Sequence, residues 1–273
     1  MDAKTKLCCL IGDPVEHSMS PAIHNAGYKA LGLNYAYLAF KVLNLKPAIQ
    51  GIKALGIRGI SVTIPHKIEI IKYLDKIDPK AKKIVAVNTV VNHCGVLKGY
   101  NSDCVGAIKA LKEKTSIAGK KVILLGAGGA ARAIAVGLKA EKANITILNR
   151  TISKAKKLVQ LIKLGRFDSL NKLQLIKSAD ILINATSVGM HPKIDATPIP
   201  KKFLHPKLII FDIVYNPKET KLIKEAKSIG CKVVYGYKML LYQAITQFEL
   251  FTQHKAPIEI MEKALIKSLE RKN

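Results

Sequence analysis

Lys121-Val122-Ile123-Leu124-Leu125-Gly126-Ala127-Gly128-Gly129-Ala130-Ala131-Arg132 runs from an apolar strand pattern through a glycine-rich turn into an alanine-rich helix. A strand ending this way delivers backbone N–H groups to a pyrophosphate at a helix N-terminus, where the dipole favours negative charge. Gly126 then serves the tight bend and Gly128 the close approach of backbone to phosphate. Ala131 takes the small third position, where helix packs on strand. Ala127, Gly129 and Ala130 complete the loop. The next strand pattern, Asn144–Leu148, is followed by Asn149, Arg150 and Thr151, with Lys154 one helical turn on. A site for NAD carries Asp or Glu here for the ribose 2′-hydroxyl. Two cations and a hydroxyl, with no carboxylate among them, suit a 2′-phosphate instead. The segment predicts NADP as cofactor, although Arg150 and Lys154 alone also fit a solvated helix start in a lysine-rich chain.

Outward from this turn, apolar strand patterns alternate with helical ones almost throughout, which predicts an α/β fold with mainly parallel sheets. Strands read at Leu7–Gly12, Tyr35–Phe40, Gly59–Ile64 and Ala86–Asn92, and helices at Pro21–Leu31, Lys46–Ala54 and Pro65–Tyr73. His93-Cys94-Gly95 reads as a hairpin turn returning through Val96-Leu97-Lys98. A helix from about Cys104 to Lys114 leads to Thr115–Lys120, the expected domain boundary. Strands then recur at Lys121–Leu125, Asn144–Leu148, Ile181–Asn184, Leu208–Ile213 and Lys232–Tyr235, before helices at Lys238–Thr252 and Ile258–Glu270. The expectation is a substrate-binding catalytic domain over 1–114, completed by helices from 238–273, and a doubly wound NADP-binding domain over 115–237. A cleft that closes on the ligands is expected between them.

At 273 residues, 49% hydrophobic and 23% charged, the composition is that of an ordinary soluble protein of two domains. No apolar run reaches the roughly 20 residues needed to cross a bilayer, and the first residues lack a signal-peptide core, so a cytoplasmic location without membrane partners is expected. The formal charge of +26 comes from 45 basic against 19 acidic residues. Only five of the basic residues are arginine, the usual specific reader of phosphates and bases, and no basic block stands out. Small anionic ligands, rather than nucleic acid, are the expected partners of that charge. The five cysteines form no C-x-x-C pair and the histidines show no H-x-x-x-H spacing, so neither disulfides nor a metal site is expected. No serine sits in a G-x-S-x-G elbow, which leaves hydrolase chemistry without support.

Three clusters carry chemistry outside the nucleotide turn. In His17-Ser18-Met19-Ser20-Pro21, Ser20 reads as a helix N-cap ahead of proline. Ser18, two residues earlier in extended chain, would share its side, and two hydroxyls at a helix N-terminus suit a carboxylate. In Ser61-Val62-Thr63-Ile64-Pro65-His66-Lys67 a strand ends and Pro65 is expected to open a helix. Lys67 would lie in its first turn, where the dipole disfavours an ammonium, as suits an acid–base lysine. Val87-Asn88-Thr89 and Gly99-Tyr100-Asn101-Ser102-Asp103 form the third cluster. Asp103, one of only nine aspartates, reads either as a helix N-cap or as the partner of Lys67 in proton transfer.

Together with Asn149-Arg150-Thr151, Asn184-Ala185-Thr186-Ser187-Val188-Gly189-Met190 and Asp212-Ile213-Val214-Tyr215-Asn216-Pro217, these blocks closely resemble the shikimate dehydrogenase family, in order and across nearly the whole chain. The resemblance implies NADP-linked, reversible reduction of 3-dehydroshikimate to shikimate in aromatic amino acid biosynthesis. It implies that Ser18 and Ser20 hold the substrate carboxylate. Thr63, Asn88, Asp103, Tyr215 and Gln243 would meet its hydroxyls and ring, and Lys67 with Asp103 would form the catalytic pair. Thr186, Ser187, Ile213, Gly236 and Met239 would line the nicotinamide side. The chain departs from the pattern at Ser102, where threonine is usual, and at Tyr237-Lys238, inserted between the matching glycine and Met239-Leu240. It departs again at Phe251 and Gln253, which stand for a common Trp and Gly. Three alternatives accompany this reading: a dual quinate/shikimate dehydrogenase, a silent NADP-binding regulator, and a glutamyl-tRNA reductase. The last needs a nucleophilic cysteine in a pocket, whereas Cys8 and Cys9 fall inside a predicted strand. The expected assembly is a monomer or homodimer.

Overall fold

The computed structural model describes residues 1–270 and divides the chain into two compact units, Met1–Ser102 with Gln243 onward, and Asp103–Tyr242. The expected limits at 114/115 and 237/238 fall inside the second unit. Ala107, Ala110, Leu111 and Ile117 belong to its core, so the helix ahead of Thr115 packs with the nucleotide-type sheet.

The first unit contains β1 (Lys6–Gly12), α1 (Ser20–Ala30), β2 (Tyr35–Lys41), α2 (Leu45–Ala54), β3 (Gly59–Val62), a 3-10 turn (Glu69–Tyr73), β4 (Lys76–Ile77), α3 (Pro79–Ile84), β5 (Thr89–His93) and β6 (Val96–Tyr100). The strands form one mixed sheet in the order β2-β1-β3-β5-β6-β4. The pairs of β1 with β2 and β3 are parallel, while β3–β5 and β5–β6 are antiparallel. The β5–β6 hairpin turns on Cys94 (φ 51°) and Gly95 (φ 84°), the pair of left-handed residues a tight hairpin requires.

The second unit contains α4 (Ser102–Lys112, whose first residue lies in the first unit), β7 (Lys121–Leu125), α5 (Gly129–Ala140), β8 (Asn144–Leu148), α6 (Ile152–Ile162) and β9 (Arg166–Asp168). It continues with a 3-10 segment (Leu170–Ser178), β10 (Ile181–Asn184), β11 (Ile209–Asp212), α7 (Lys221–Ile229) and β12 (Lys232–Tyr235). Its sheet runs β12-β11-β10-β7-β8-β9, parallel at every pairing. The order reverses between β7 and β10, so β7 sits at the switch point where doubly wound sheets bind ligands beyond their strand ends. Side chains alternate into two apolar layers. Val122, Leu124, Ile181 and Ile183 face one, Ile123, Leu125, Leu182 and Ile210 the other.

α8 (Gly236–Thr252) starts in the second unit and ends in the first, where α9 (Ile258–Glu270) follows. Phe248, Phe251, Met261, Leu265 and Leu269 are all buried there. Gly27 and Gly59 make room for this C-terminal segment: a methyl on Gly27 would come within 2.8 Å of the Phe248 ring, and one on Gly59 within 2.4 Å of the Phe251 ring.

Three local expectations are corrected. The expected helix from Pro65 is a run of turns, followed by the 3-10 stretch from Glu69. The Lys67 carbonyl, which a regular helix would offer to Ile71, accepts the Val87 N–H at 2.8 Å instead, and Ile71 bonds back to Ile68. Lys67 therefore lies ahead of the 3-10 stretch, inside a single turn closed by the Ile70 N–H on the His66 carbonyl at 3.0 Å, and the dipole argument has no regular helix to act through. At α1 the cap is Met19, whose carbonyl accepts the first helical bond from Ile23 (3.1 Å), so Ser20 is already inside the helix. Ser18 is not extended: its N–H closes a turn on Val15 at 2.9 Å.

Candidate functional site

In the second unit the glycine turn takes the form its sequence predicts. Gly126 has φ +105°, and a methyl there would lie 2.8 Å from the Ala185 carbonyl oxygen. Gly128 caps α5 with no side-chain hydrogen bond, no acidic residue follows in the first turn, and the space where its Cβ would point is open. Gly129 and Ala130 begin the helix, with Ala127 just ahead of it, so the N–H groups of the first turn are of the kind that an anion satisfies. Ala131 is fully buried against the sheet.

Beyond β8, Asn149 is half-buried and its Nδ2 donates to the Thr151 carbonyl at 2.9 Å, while Arg150, Thr151 and Lys154 are exposed. The short strand β9, unmarked in the sequence, sets Asp168 beside them. Asn149 N–H donates to the Asp168 carbonyl (3.3 Å), but the Asp168 carboxylate is occupied by the Ser169 N–H (2.8 Å). Two free-standing cations and a hydroxyl thus fit a 2′-phosphate.

The residues expected at the nicotinamide side converge at the ends of β10, β11 and β12. Thr186 stands against Gly126, whose added methyl would meet the Thr186 Cγ2 at 3.2 Å. Gly236 allows the start of α8 to abut the 213–214 backbone: a methyl there would lie 2.5 Å from the Ile213 oxygen and 2.4 Å from that of Val214. Ser187 is exposed, and Met239 is buried in the core against which Ile213 packs. Two residues outside the expected set organise this edge. Asn184 and Asp212 are paired across β10 and β11 and are both fully buried. Asn184 Nδ2 donates to Asp212 Oδ1 at 2.9 Å. Burial pushes the Asp212 carboxyl up to about 6, against the opposing pull of hydrogen bonds from Thr220, Val214 and Asn184. The signal was a lone polar residue closing each apolar strand, Ile-Leu-Ile-Asn and Ile-Ile-Phe-Asp.

In the first unit a polar cluster is buried in the sheet. Asn88 Oδ1 accepts the Ser102 N–H at 2.7 Å, and its Nδ2 donates to Ser102 Oγ (2.9 Å) and to Gln243 Oε1 (3.1 Å). Gln247, absent from the sequence expectation, donates to the Asn88 carbonyl (3.2 Å) and Thr89 Oγ1 (3.1 Å). Its Oε1 accepts from Ser61, which accepts from the Tyr37 hydroxyl at 2.6 Å. Burial raises the Tyr37 phenol well above its ordinary range, and hydrogen bonds to Ser61 and Ser20 offset part of this. The chain of contacts thus runs from Ser20 to Asn88 and Gln243. Ser18 Oγ accepts the Ser20 N–H at 3.2 Å. Thr63 and Lys67 are half-buried on the turns after β3. Asp103 is buried in the first turn of α4, where a carboxylate suits the dipole; Tyr215 is half-buried in the loop after β11.

Cys8 and Cys9 are fully buried in β1, and burial pushes both thiols up to about 12, which disqualifies them as nucleophiles at neutral pH. Among the described residues no group of His, Cys, Asp and Glu could hold a metal ion, and no helix is long and apolar enough to cross a membrane.

A parallel sheet with its phosphate-ready turn at the switch point defines the second unit as a Rossmann-type, dinucleotide-binding fold. Comparison with known proteins narrows this. Residues 10–90 match the shikimate dehydrogenase substrate binding domain, 109–228 the shikimate/quinate 5-dehydrogenase family, and 236–266 the shikimate 5′-dehydrogenase C-terminal domain. The shikimate dehydrogenase (NADP(+)) of Methanobrevibacter smithii is 50% identical over 281 residues, covering 99% of each chain. A crystal structure of a shikimate dehydrogenase in complex with NADP+ superposes with a TM-score of 0.95 at 46% identity, covering 98% of this chain and 97% of the other. The Listeria monocytogenes shikimate 5-dehydrogenase, solved with shikimate and NAD, gives 0.90 at 38% identity, covering 97% and 98%. The chain belongs to the shikimate dehydrogenase family, a family of oxidoreductases.

Proposed function

We propose that this chain catalyses the reversible, NADP-linked reduction of 3-dehydroshikimate to shikimate, a step of aromatic amino acid biosynthesis in the cytoplasm. The observation that carries the reading is the 50% identity to an NADP(+)-named shikimate dehydrogenase over 99% of both chains. NADP, when bound, supplies and accepts the hydride. The first unit serves the substrate and the second the cofactor.

On the cofactor side, N–H groups from Ala127 to Ala130 hold the pyrophosphate against the N-terminus of α5. Arg150, Thr151 and Lys154 hold the 2′-phosphate, with Asn149 shaping the turn. Thr186, Ser187, Ile213, Gly236 and Met239 shape the nicotinamide side. On the substrate side, Ser18 and Ser20 donate to the carboxylate, and Thr63, Asn88, Tyr215 and Gln243 meet the hydroxyls and ring.

Lys67 gives a proton to the oxygen that becomes the C3 hydroxyl and takes it back in the reverse direction, while its charge steadies the developing alkoxide. Asp103 orients the ammonium and shares in the proton transfer. The test is nicotinamide absorbance on mixing the protein with shikimate and NADP⁺, then with quinate or NAD⁺ in their place. Reduction with shikimate and NADP⁺ is expected. Absence of turnover from folded protein that still binds NADP⁺ overturns the reading, and equal turnover of quinate moves it to dual specificity.

A further inference from the structure

Asp212 lies at the end of β11 with no accessible surface, and its two oxygens collect three donors from three segments. Oδ1 accepts Asn184 Nδ2 at 2.9 Å and the Val214 N–H at 3.1 Å. Oδ2 accepts the Thr220 hydroxyl at 2.6 Å. Each donor is a fulcrum for the chain around it. The Asn184 oxygen, fixed by this grip on its amide nitrogen, accepts both the N–H of Thr186 (3.1 Å) and its hydroxyl (2.6 Å). Thr186 Oγ1 in turn accepts the Val188 N–H at 3.2 Å. Thr220, fully buried, caps α7 by accepting the Ile223 N–H at 3.3 Å.

One carboxylate therefore governs the departure of the chain from both β10 and β11. Three donors also set the sense of every bond: the oxygens only accept, the Asn184 amide cannot flip, and the Thr186 hydroxyl proton points at Asn184. An interior carboxylate is a costly way to close two loops unless their placement matters. We propose that Asp212 is a positioning residue for hydride transfer, holding Thr186 and Ile213 in place through Asn184 and its own backbone neighbours. This inference rests on the proposed dehydrogenase activity.

The bonds on Asp212 and Asn184 have complementary donors and acceptors, so the pair can be tested by exchange. Asp212→Asn alone sets its amide nitrogen against one of the present donors, Thr220 in one orientation or Asn184 and Val214 in the other, and Asn184→Asp alone faces carboxylate with carboxylate. The double exchange restores a donor–acceptor pair between the two side chains, while the Val214 N–H loses its acceptor. Shikimate oxidation is measured for all four proteins, with KM for NADP⁺, NADPH fluorescence titration and circular dichroism. Each single variant is expected to lose about tenfold or more in kcat, as misplacement of reacting groups costs. KM for NADP⁺ should stay within about threefold, because phosphate contacts are untouched. The double variant should recover part of kcat. Asp212→Asn with wild-type kcat, or a double variant no better than the worse single one, overturns the proposal. So does a loss confined to NADP⁺ affinity. Should Asp212→Asn fail to fold, Thr220→Val, which removes one bond on Oδ2, is read the same way, with an expected kcat loss of a few-fold. A wild-type protein that folds, binds NADPH and does not turn over instead refutes the activity itself.

Discussion

A methyl group on Gly12 would lie 2.2 Å from Cγ2 of Thr63 and 2.8 Å from the Ile64 carbonyl oxygen, so β1 approaches the turn after β3 only because this residue has no side chain. Gly12→Ala forces that turn outward, and the backbone oxygen leaves no rotamer escape. The expected outcome is a loss of about 1–3 kcal/mol in stability, with KM for shikimate raised about tenfold while NADP⁺ affinity holds. Unchanged KM in a folded variant argues against Thr63 as a substrate contact.

Lys67→Ala should lower kcat by about 10²–10⁴, the range for loss of a positioned acid–base group, and leave NADPH binding within about twofold. Stopped-flow turnover and a fluorescence titration check the two halves separately. Near-normal kcat removes Lys67 from the mechanism.

With Arg150 on the 2′-phosphate as proposed, Arg150→Ala should remove a charge-assisted contact worth about 1.5–3 kcal/mol, hence about 10- to 100-fold in KM for NADP⁺. NAD⁺ kinetics should barely move. If both cofactors weaken equally, Arg150 is reading something other than the 2′-phosphate.

Gln253 ends α8 in left-handed backbone, φ 62°, with its N–H on the Glu249 carbonyl at 2.9 Å. A side chain there costs energy that glycine does not. Gln253→Gly is expected to gain about 1 kcal/mol of stability, read as a higher urea midpoint. A lower midpoint refutes the strain argument.

His24 lies fully buried, stacked flat on Tyr37 at 4.3 Å, and burial lowers its pKa to about 3, with Gln247 pulling weakly the other way. The unfolded chain takes up this proton near pH 6.5 and the folded one does not. Stability from this group is therefore whole above pH 6.5 and is lost as pH falls toward 3, at about 1.4 kcal/mol per pH unit. His24→Phe keeps a ring in place and removes that slope. Urea midpoints at pH 7 and pH 4.5 should converge in the variant relative to the parent; an equal drop in both discards the assignment.

The parallel sheet and its nucleotide turn were legible because they rest on local signals: apolar runs of strand length, glycines at the bend, small residues where helix meets sheet. The turns after Pro65 were not, because Val87, twenty residues away, takes the Lys67 carbonyl that a helix would need. Ser20 misled for a related reason. Its type suits a cap, yet Met19 supplies the first carbonyl and the serine hydroxyl turns inward toward Tyr37. Residues that act through their neighbours leave the faintest trace. Asn184, Asp212 and Gln247 are single polar letters in apolar surroundings, and only strand register and helix packing disclose what they hold.

The first unit is assembled from both ends of the chain, with residues 103–242 intervening. A ribosome releases the N-terminal end first, at about 5–20 residues per second, so the seat for Phe248, Phe251 and Met261 stays open for roughly ten seconds or more. The contiguous second unit can finish folding during that wait. A nascent chain halted near Tyr242 would thus carry one completed unit beside one with bare apolar surface, the form most exposed to chaperones and proteases.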